Sequence, residues 1–267
     1  MITRNRFSEM MRDLLTKNKV GLNQEFRFRG QEPGRLENFS DAVFALAITL
    51  LLISTSPPSS FEQVKRFAFD LIPFLLCIAL IISIWYEHYV FFLRYGLRNG
   101  KIVMLNTLFL VIVLFYVYPL KFLTKLILFP IAAMTGQDNI LTEMNGLIKG
   151  KDVADLMIIY GLGAAAVFLV LRWMYAYAYK QADAMELNEI ERFDTRSRIQ
   201  SNTLMATVPL LSVMMAIIFH GHWIAGLISG MTYFLYTPIM VLFARNVDRR
   251  RKKCLEEMNT KNEVVLS

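Results

Sequence analysis

Arg35-Leu36-Glu37-Asn38-Phe39-Ser40-Asp41 runs directly into Ala42-Val43-Phe44-Ala45-Leu46-Ala47-Ile48-Thr49-Leu50-Leu51-Leu52-Ile53, twelve residues without a charge. Hydrocarbon penalises every charged or unpaired polar group placed in it. A dense polar cluster at the mouth of an apolar helix therefore marks a functional position rather than lipid-facing filler.

The rest of the chain supports a membrane setting. It has 267 residues, 55% of them hydrophobic, and a mean hydropathy of +0.41. Several apolar runs approach or exceed the roughly 20 residues that cross a bilayer core. A soluble domain breaks such runs with surface charge every few residues. Cys77 falls in an apolar run and Cys254 in a basic tail, so no disulfide framework is expected. Three histidines and no Cys/His cluster argue against a structural zinc site. The net charge of +7 is assigned to membrane topology, with no nucleic-acid partner. Residues 1–35 hold eight basic side chains and no apolar core, so no cleavable signal peptide is expected. Phe7, Met10, Met11, Leu14 and Leu15 recur at helical spacing there, consistent with a short amphipathic cytoplasmic helix.

The apolar runs predict six membrane helices: about Asn38 to Ser56, Val64 to Tyr95, Lys101 to Met134, Val153 to Tyr179, Asn202 to Phe219, and Trp223 to Ala244. Pro73 is a candidate kink in the second. Ala182 to Ser201 reads as a charged helical linker, and His220-Gly221-His222 as a short outer link. This divides the chain into an N-terminal cytoplasmic segment 1–34, a six-helix transmembrane domain 35–245, and a basic cytoplasmic tail 246–267. With the N-terminus inside, inner segments carry 22 basic residues and outer segments four. That bias places both termini in the cytoplasm. Lys121 and Lys125 fall in the outer part of helix three, where they snorkel to headgroups or attract anions. Arg172 pairs with Asp183 or Glu186 or faces other helices near the inner leaflet. Trp85, Trp173, Tyr175, Tyr177 and Tyr179 fit an interfacial aromatic belt.

On a wheel of about 100° per residue, Leu46, Thr49, Leu50 and Ile53 share one stripe of helix one. Asp41 points about 140° away from Leu46. If the stripe lines a pore, Asp41 reaches back into the subunit; the plain alternative is that Leu46 and Ile53 pack or face lipid. His88 lies one turn from Trp85 on helix two, and Asn106 lies in helix three among Leu105, Leu108 and Phe109. Buried Asn and His need partners. One polar network of Arg35, Ser40, Asp41, His88 and Asn106 satisfies that need, either as interhelical glue or with a further role.

Arg35-x-x-x-Phe39-Ser40-Asp41 opening the first span, followed by Ala45-x-x-x-Thr49-Leu50-Leu51, resembles the transmembrane protein 175 family of potassium channels. Trp85-x-x-His88, Asn106 and Pro119 resemble its prokaryotic members, and the motifs together span Arg35 to Pro119. The resemblance implies an all-α integral membrane protein with six transmembrane helices per subunit. It also implies a homotetramer whose first helices line a central pore, with no Thr-Val-Gly-Tyr-Gly filter and no cofactor. Potassium is the implied permeant ion and the bilayer the implied setting, in a multi-pass prokaryotic plasma membrane. Leu46 maps to the hydrophobic constriction, with Ile53 a second apolar ring. Thr49, with Leu50 beside it, maps to the ion path. Arg35, Phe39, Ser40 and Asp41 map to the motif that ties helix one to helices two and three. Ser54-Thr55-Ser56-Pro57-Pro58 departs from the family's exit, and no carboxylate follows until Glu62.

The expected function is a potassium-permeable leak channel with modest selectivity and no enzymatic activity. The alternative is a proton-coupled or cation secondary transporter, in which Asp41, Glu87 and His88 form a proton relay. The chain shows no inverted repeat to support that alternative.

Overall fold

A computed structural model describes residues 26–53, 60–61, 71–134, 152–222 and 224–266, with side chains except at 52–53, 73, 118–119, 121–134, 259 and 261–266. Among these residues every regular element is helical. The helices are α1 Arg35–Ile53, α2 Leu71–Tyr95, α3 Gly100–Met134, α4 Asp152–Lys180, α5 Glu189–Ile218, α6 Ala225–Met231 and α7 Tyr236–Leu266, with a 3-10 turn Thr232–Leu235 between the last two. Five stretches are long and apolar enough to cross a membrane: Phe74–Tyr95, Gly100–Val117, Asp152–Lys180, Glu189–Ile218 and Ala225–Met258. α1 adds its uncharged half from Ala42 onward.

Third and fourth helices start and stop within a residue of the positions read from the sequence. Two others differ. The charged stretch ahead of Asn202 is the first half of α5, continuous with its apolar half. Asn188 caps this helix: its side chain accepts from the Glu191 amide at 2.8 Å, and Glu191 accepts from the Asn188 amide at 3.0 Å. Satisfying both orphan donors fixes the start there. The sixth helix is broken. The Ser229 carbonyl accepts hydroxyls from Ser212 at 2.8 Å and Thr232 at 2.6 Å. Side-chain hydroxyls competing for a helical carbonyl loosen the ladder, and the chain tightens into a 3-10 turn. α7 then runs on through the basic stretch that was read as a tail.

The core lies where α1 to α4 meet. Phe44, Ala47 and Leu51 of α1 pack with Cys77, Ile81 and Phe91 of α2, Phe109 and Val113 of α3, and Leu171, Met174 and Tyr175 of α4. Close approach of α3 and α4 depends on Gly163, where a Cβ would stand 1.9 Å from the Tyr116 ring. Small residues permit this spacing between membrane helices.

Residues 26–34 form a strap that crosses the end of α2 and reaches the start of α5. Phe26 is buried and meets Tyr95 edge-on at 5.7 Å. The guanidinium of buried Arg94 lies 4.7 Å over the Phe26 ring. The amides of Arg29 and Gly30 bond the carbonyls of Arg94 and Leu93, the last carbonyls of α2. Only glycine fits at position 30, because a Cβ there would stand 2.1 Å from the Phe92 carbonyl oxygen. Arg29 then grips the buried Glu191 carboxylate with two hydrogen bonds of 3.0 and 2.9 Å. The amphipathic segment around Phe7 to Leu15 lies outside the described residues.

Candidate functional site

Helix α1 has two faces of different character. Glu37, Ser40, Phe44, Ala47 and Leu51 are buried, at alternating spacings of three and four residues. That spacing is one continuous helical stripe. Phe39, Leu46 and Leu50 are 61%, 51% and 41% exposed, and Thr49 is exposed with them.

The buried stripe carries a directed hydrogen-bond chain. Asn106 Nδ2 donates to Ser40 Oγ at 2.9 Å, and Ser40 Oγ donates to the Leu36 carbonyl at 2.8 Å. With its amide nitrogen so engaged, Asn106 accepts through Oδ1 from His88 Nε2 at 2.7 Å. His88 therefore carries its proton on Nε2 in this arrangement. The chain runs from α2 through α3 to the backbone of α1. Its three side chains are buried, so each bond replaces water that cannot reach the site. The His88 ring is held parallel to Phe109 at 5.5 Å, with Phe44 at 5.7 Å.

Asp41, the next residue, takes a different partner. Its Oδ1 accepts from Trp85 Nε1 at 2.7 Å, and Trp85 stacks on Tyr89 at 5.6 Å. Adjacent residues of α1 thus reach two neighbours: Ser40 goes to α3 and Asp41 to α2. Arg35 and Phe39 are exposed, and no described hydrogen bond involves the Arg35 side chain. Of the five residues read as one network, the structure joins Ser40, His88 and Asn106, sets Asp41 beside them on Trp85, and leaves Arg35 apart.

Glu37 was missed by the sequence reading. Its carboxylate accepts from Arg98 Nε at 2.9 Å and from the Gly34 amide at 3.0 Å. The second bond is half of a capping box, since Gly34 precedes the helix and Glu37 is its third residue. That spacing was the available signal. The ion pair fastens the start of α1 to the turn between α2 and α3.

On the outward face, Thr49 Oγ1 donates to the Ala45 carbonyl at 2.9 Å. Its hydrogen is spent on its own helix, so the oxygen presents lone pairs to whatever faces it. Leu46 and Leu50 flank it with bare methyl groups. The side chain of Ile53 lies outside the described residues, as do those of Lys121, Lys125 and Pro119.

The remaining candidate groups are engaged elsewhere. Glu87 pairs with Arg198 through contacts of 2.8 and 2.9 Å. Arg172 bonds Thr203 Oγ1 at 3.0 Å, rather than Asp183 or Glu186. His220 meets Asp155 at 3.0 Å. Among the described residues no group of three or more His, Cys, Asp or Glu side chains could hold a metal ion.

Comparison with known proteins agrees with this architecture. Residues 35–116 match the model of the family described as endosomal/lysosomal potassium channel TMEM175. A protein of Marivirga tractuosa named potassium channel is 45% identical over 239 residues, covering 89% of this chain and 97% of the relative. The crystal structure of a variant of the potassium channel MtTMEM175, bound to a nanobody–MBP fusion protein, superposes with a TM-score of 0.78 at 46% identity. It covers 86% of this chain and all of that one. A lysosomal potassium-selective channel TMEM175 homologue from Chamaesiphon minutus shares the fold at a TM-score of 0.50 and 20% identity, covering 80% of this chain and 97% of that one.

Proposed function

The chain belongs to the TMEM175 family of potassium channels, membrane proteins and not enzymes, and from that premise we propose how this member conducts. Four copies assemble around an axis lined by α1. Leu46 narrows the path and expels water when the helices close in, forming a hydrophobic gate. Thr49 offers hydroxyl oxygens to a partly dehydrated cation one turn away, with Leu50 beside it and Ile53 as a second apolar ring. Selectivity for potassium is modest, because four hydroxyls replace a hydration shell less completely than stacked carbonyl rings do. No cofactor takes part.

One observation carries this reading. The polar atoms of α1 that face the protein all have partners, while the side bearing Leu46, Thr49 and Leu50 is uncovered in the isolated subunit. A helix anchored on one face and bare on the other is available to line a shared axis. The motif residues Ser40 and Asp41 serve as the bracket that sets the helix's rotation, with Glu37 and Arg98 fixing its start. The basic-residue bias supports both termini in the cytoplasm of a prokaryotic plasma membrane. Segments 1–34, 35–245 and 246–267 then serve as cytoplasmic N-terminal segment, channel body and cytoplasmic tail.

A proton relay finds less support. Asp41 meets an indole N–H, which donates and cannot pass a proton on. Glu87 is held by Arg198, and the His88 N–H donates to a neutral amide that does not take up the proton.

Purified chain in liposomes tests the proposal through potassium, sodium and proton flux. Potassium flux that does not saturate and needs no pH gradient is expected. Leu46→Ala raises unitary conductance and lowers selectivity; unchanged single-channel currents in that variant would remove Leu46 from the pore. Flux that saturates and follows a pH gradient would replace the channel with a carrier. Light scattering of the detergent-solubilised protein is expected to give the mass of four subunits.

A further inference from the structure

The basic stretch of α7 has a geometry that conduction does not use. Arg245, Arg249, Arg250, Arg251, Lys252 and Lys253 fall within nine residues, with Asp248 the only acid among them. The helix carries them as a rigid continuation of its apolar start. Arg251 alone turns inward, where Nε bonds the buried Asp194 at 3.0 Å. At about 100° per residue, Arg245, Arg249, Lys252 and Lys253 cluster within a sector of about 100°, on the side away from Arg251. All four are exposed. Val241 and Leu242, 43% and 65% exposed, lead into the same sector one turn earlier.

One helix face therefore passes from bare apolar side chains to four cations within about 18 Å, at 1.5 Å rise per residue. An acyl-chain region followed by a phosphate layer has that sequence of chemistry along the membrane normal. The Arg251–Asp194 contact fixes the rotation of the helix, so the strip is presented outward rather than free to turn in. We propose that this face of α7 binds the headgroups of anionic phospholipids, with Val241 and Leu242 against the acyl chains and Arg245, Arg249, Lys252 and Lys253 on the phosphates. Arg245 and Arg249 make the paired contacts to phosphate oxygens that a guanidinium fork allows, and the lysines act as point charges. The strip anchors the inner end of the broken sixth helix, whose 3-10 turn at Thr232–Leu235 leaves it a separate piece.

The test uses the whole chain in detergent micelles doped with phosphatidylglycerol or with phosphatidylcholine, and reads lipid retained on the protein by native mass spectrometry. Preferential retention of phosphatidylglycerol is expected. Retention should weaken between about 0.1 and 1 M salt, as the screening length falls from about 10 to about 3 Å. Replacing Arg245, Arg249, Lys252 and Lys253 by Gln should cut phosphatidylglycerol affinity about fivefold per residue. The variants Arg245→Lys and Arg249→Lys should keep the charge attraction and lose the paired contact, so that they weaken retention less than Gln does. Equal retention of the two lipids by the native chain overturns the proposal. So does loss of assembly in the four-site variant with phosphatidylglycerol affinity unchanged, which would assign the strip to a second copy. If the four-site variant does not fold, the salt dependence of the native chain decides alone. Lipid retention does not depend on conduction, so this result and the flux measurements stand or fall separately.

Discussion

The two faces of α1 use the same helix for opposite purposes. On the inward face, Ser40 is one link in a buried relay of three side chains ending on its own backbone, and Glu37 holds both a capping amide and Arg98. On the outward face, the only polar side chain near Leu46 has turned its hydrogen back to Ala45. Stability is concentrated where every polar atom is matched. The other side is left with shape and lone pairs, which is what an ion path needs. On the pore lining proposed for α1, the contrast explains why its polar motif need not touch the ion.

Substitutions separate the two faces. Asn106→Ala cuts the chain in the middle, stranding the His88 N–H in a buried site and opening a cavity. It should destabilise the fold by about 3 kcal/mol, seen as a lower unfolding midpoint in detergent. A stable Asn106→Ala protein would mean that the relay is ornament and that packing alone holds α1. Asp41→Ala frees the Trp85 N–H at a half-wet position and should cost about 1 kcal/mol. Its main effect is expected in assembly or gating, with ion preference kept; a well-assembled variant that gates normally but has altered selectivity would move Asp41 to the outward face. Leu46→Ala should shift the unfolding midpoint by no more than about 0.5 kcal/mol of stability, because the side chain is uncovered in the subunit. A large loss there would show that Leu46 is buried against a neighbour rather than bare to a pore. Thr49→Val keeps the shape and removes the lone pairs. It should change stability least while lowering the potassium-to-sodium flux ratio, and an unaltered ratio would leave the hydroxyl without a role in the ion path.

Much of this division was legible in the sequence. The wheel alone separates Asp41 from Leu46. The cost of placing Asn106 and His88 in lipid alone demands that they find partners, and Ser40 was the nearest candidate. Less visible was the choice each residue made. Arg35 and Asp41 were read into one network with Ser40, His88 and Asn106, yet Trp85 takes Asp41, because an indole one turn before His88 reaches the adjacent residue of α1. The broken sixth helix was not foreseen, since the Ser212 hydroxyl reaches the Ser229 carbonyl from another helix, a tertiary bond that no local pattern announces. The early start of α5 could have been read from Asn188 and Glu191, three residues apart. The grip of Arg29 on Glu191 could not, because 162 residues separate them.

That separation governs the order in which the molecule can be finished. Residues 26–34 leave the ribosome long before α5, and the carboxylate that Arg29 holds is made only when α5 begins. Until then the start of α1 can be held by Arg98, Trp85 and Asn106, but Arg29 has no carboxylate to grip. The grip of Arg29 on Glu191 is therefore a late closing contact, made on a helix already held against α2 and α3. A chain interrupted before α5 would contain every motif residue and the side chains that seat them, and would still lack the clasp from Arg29 to Glu191.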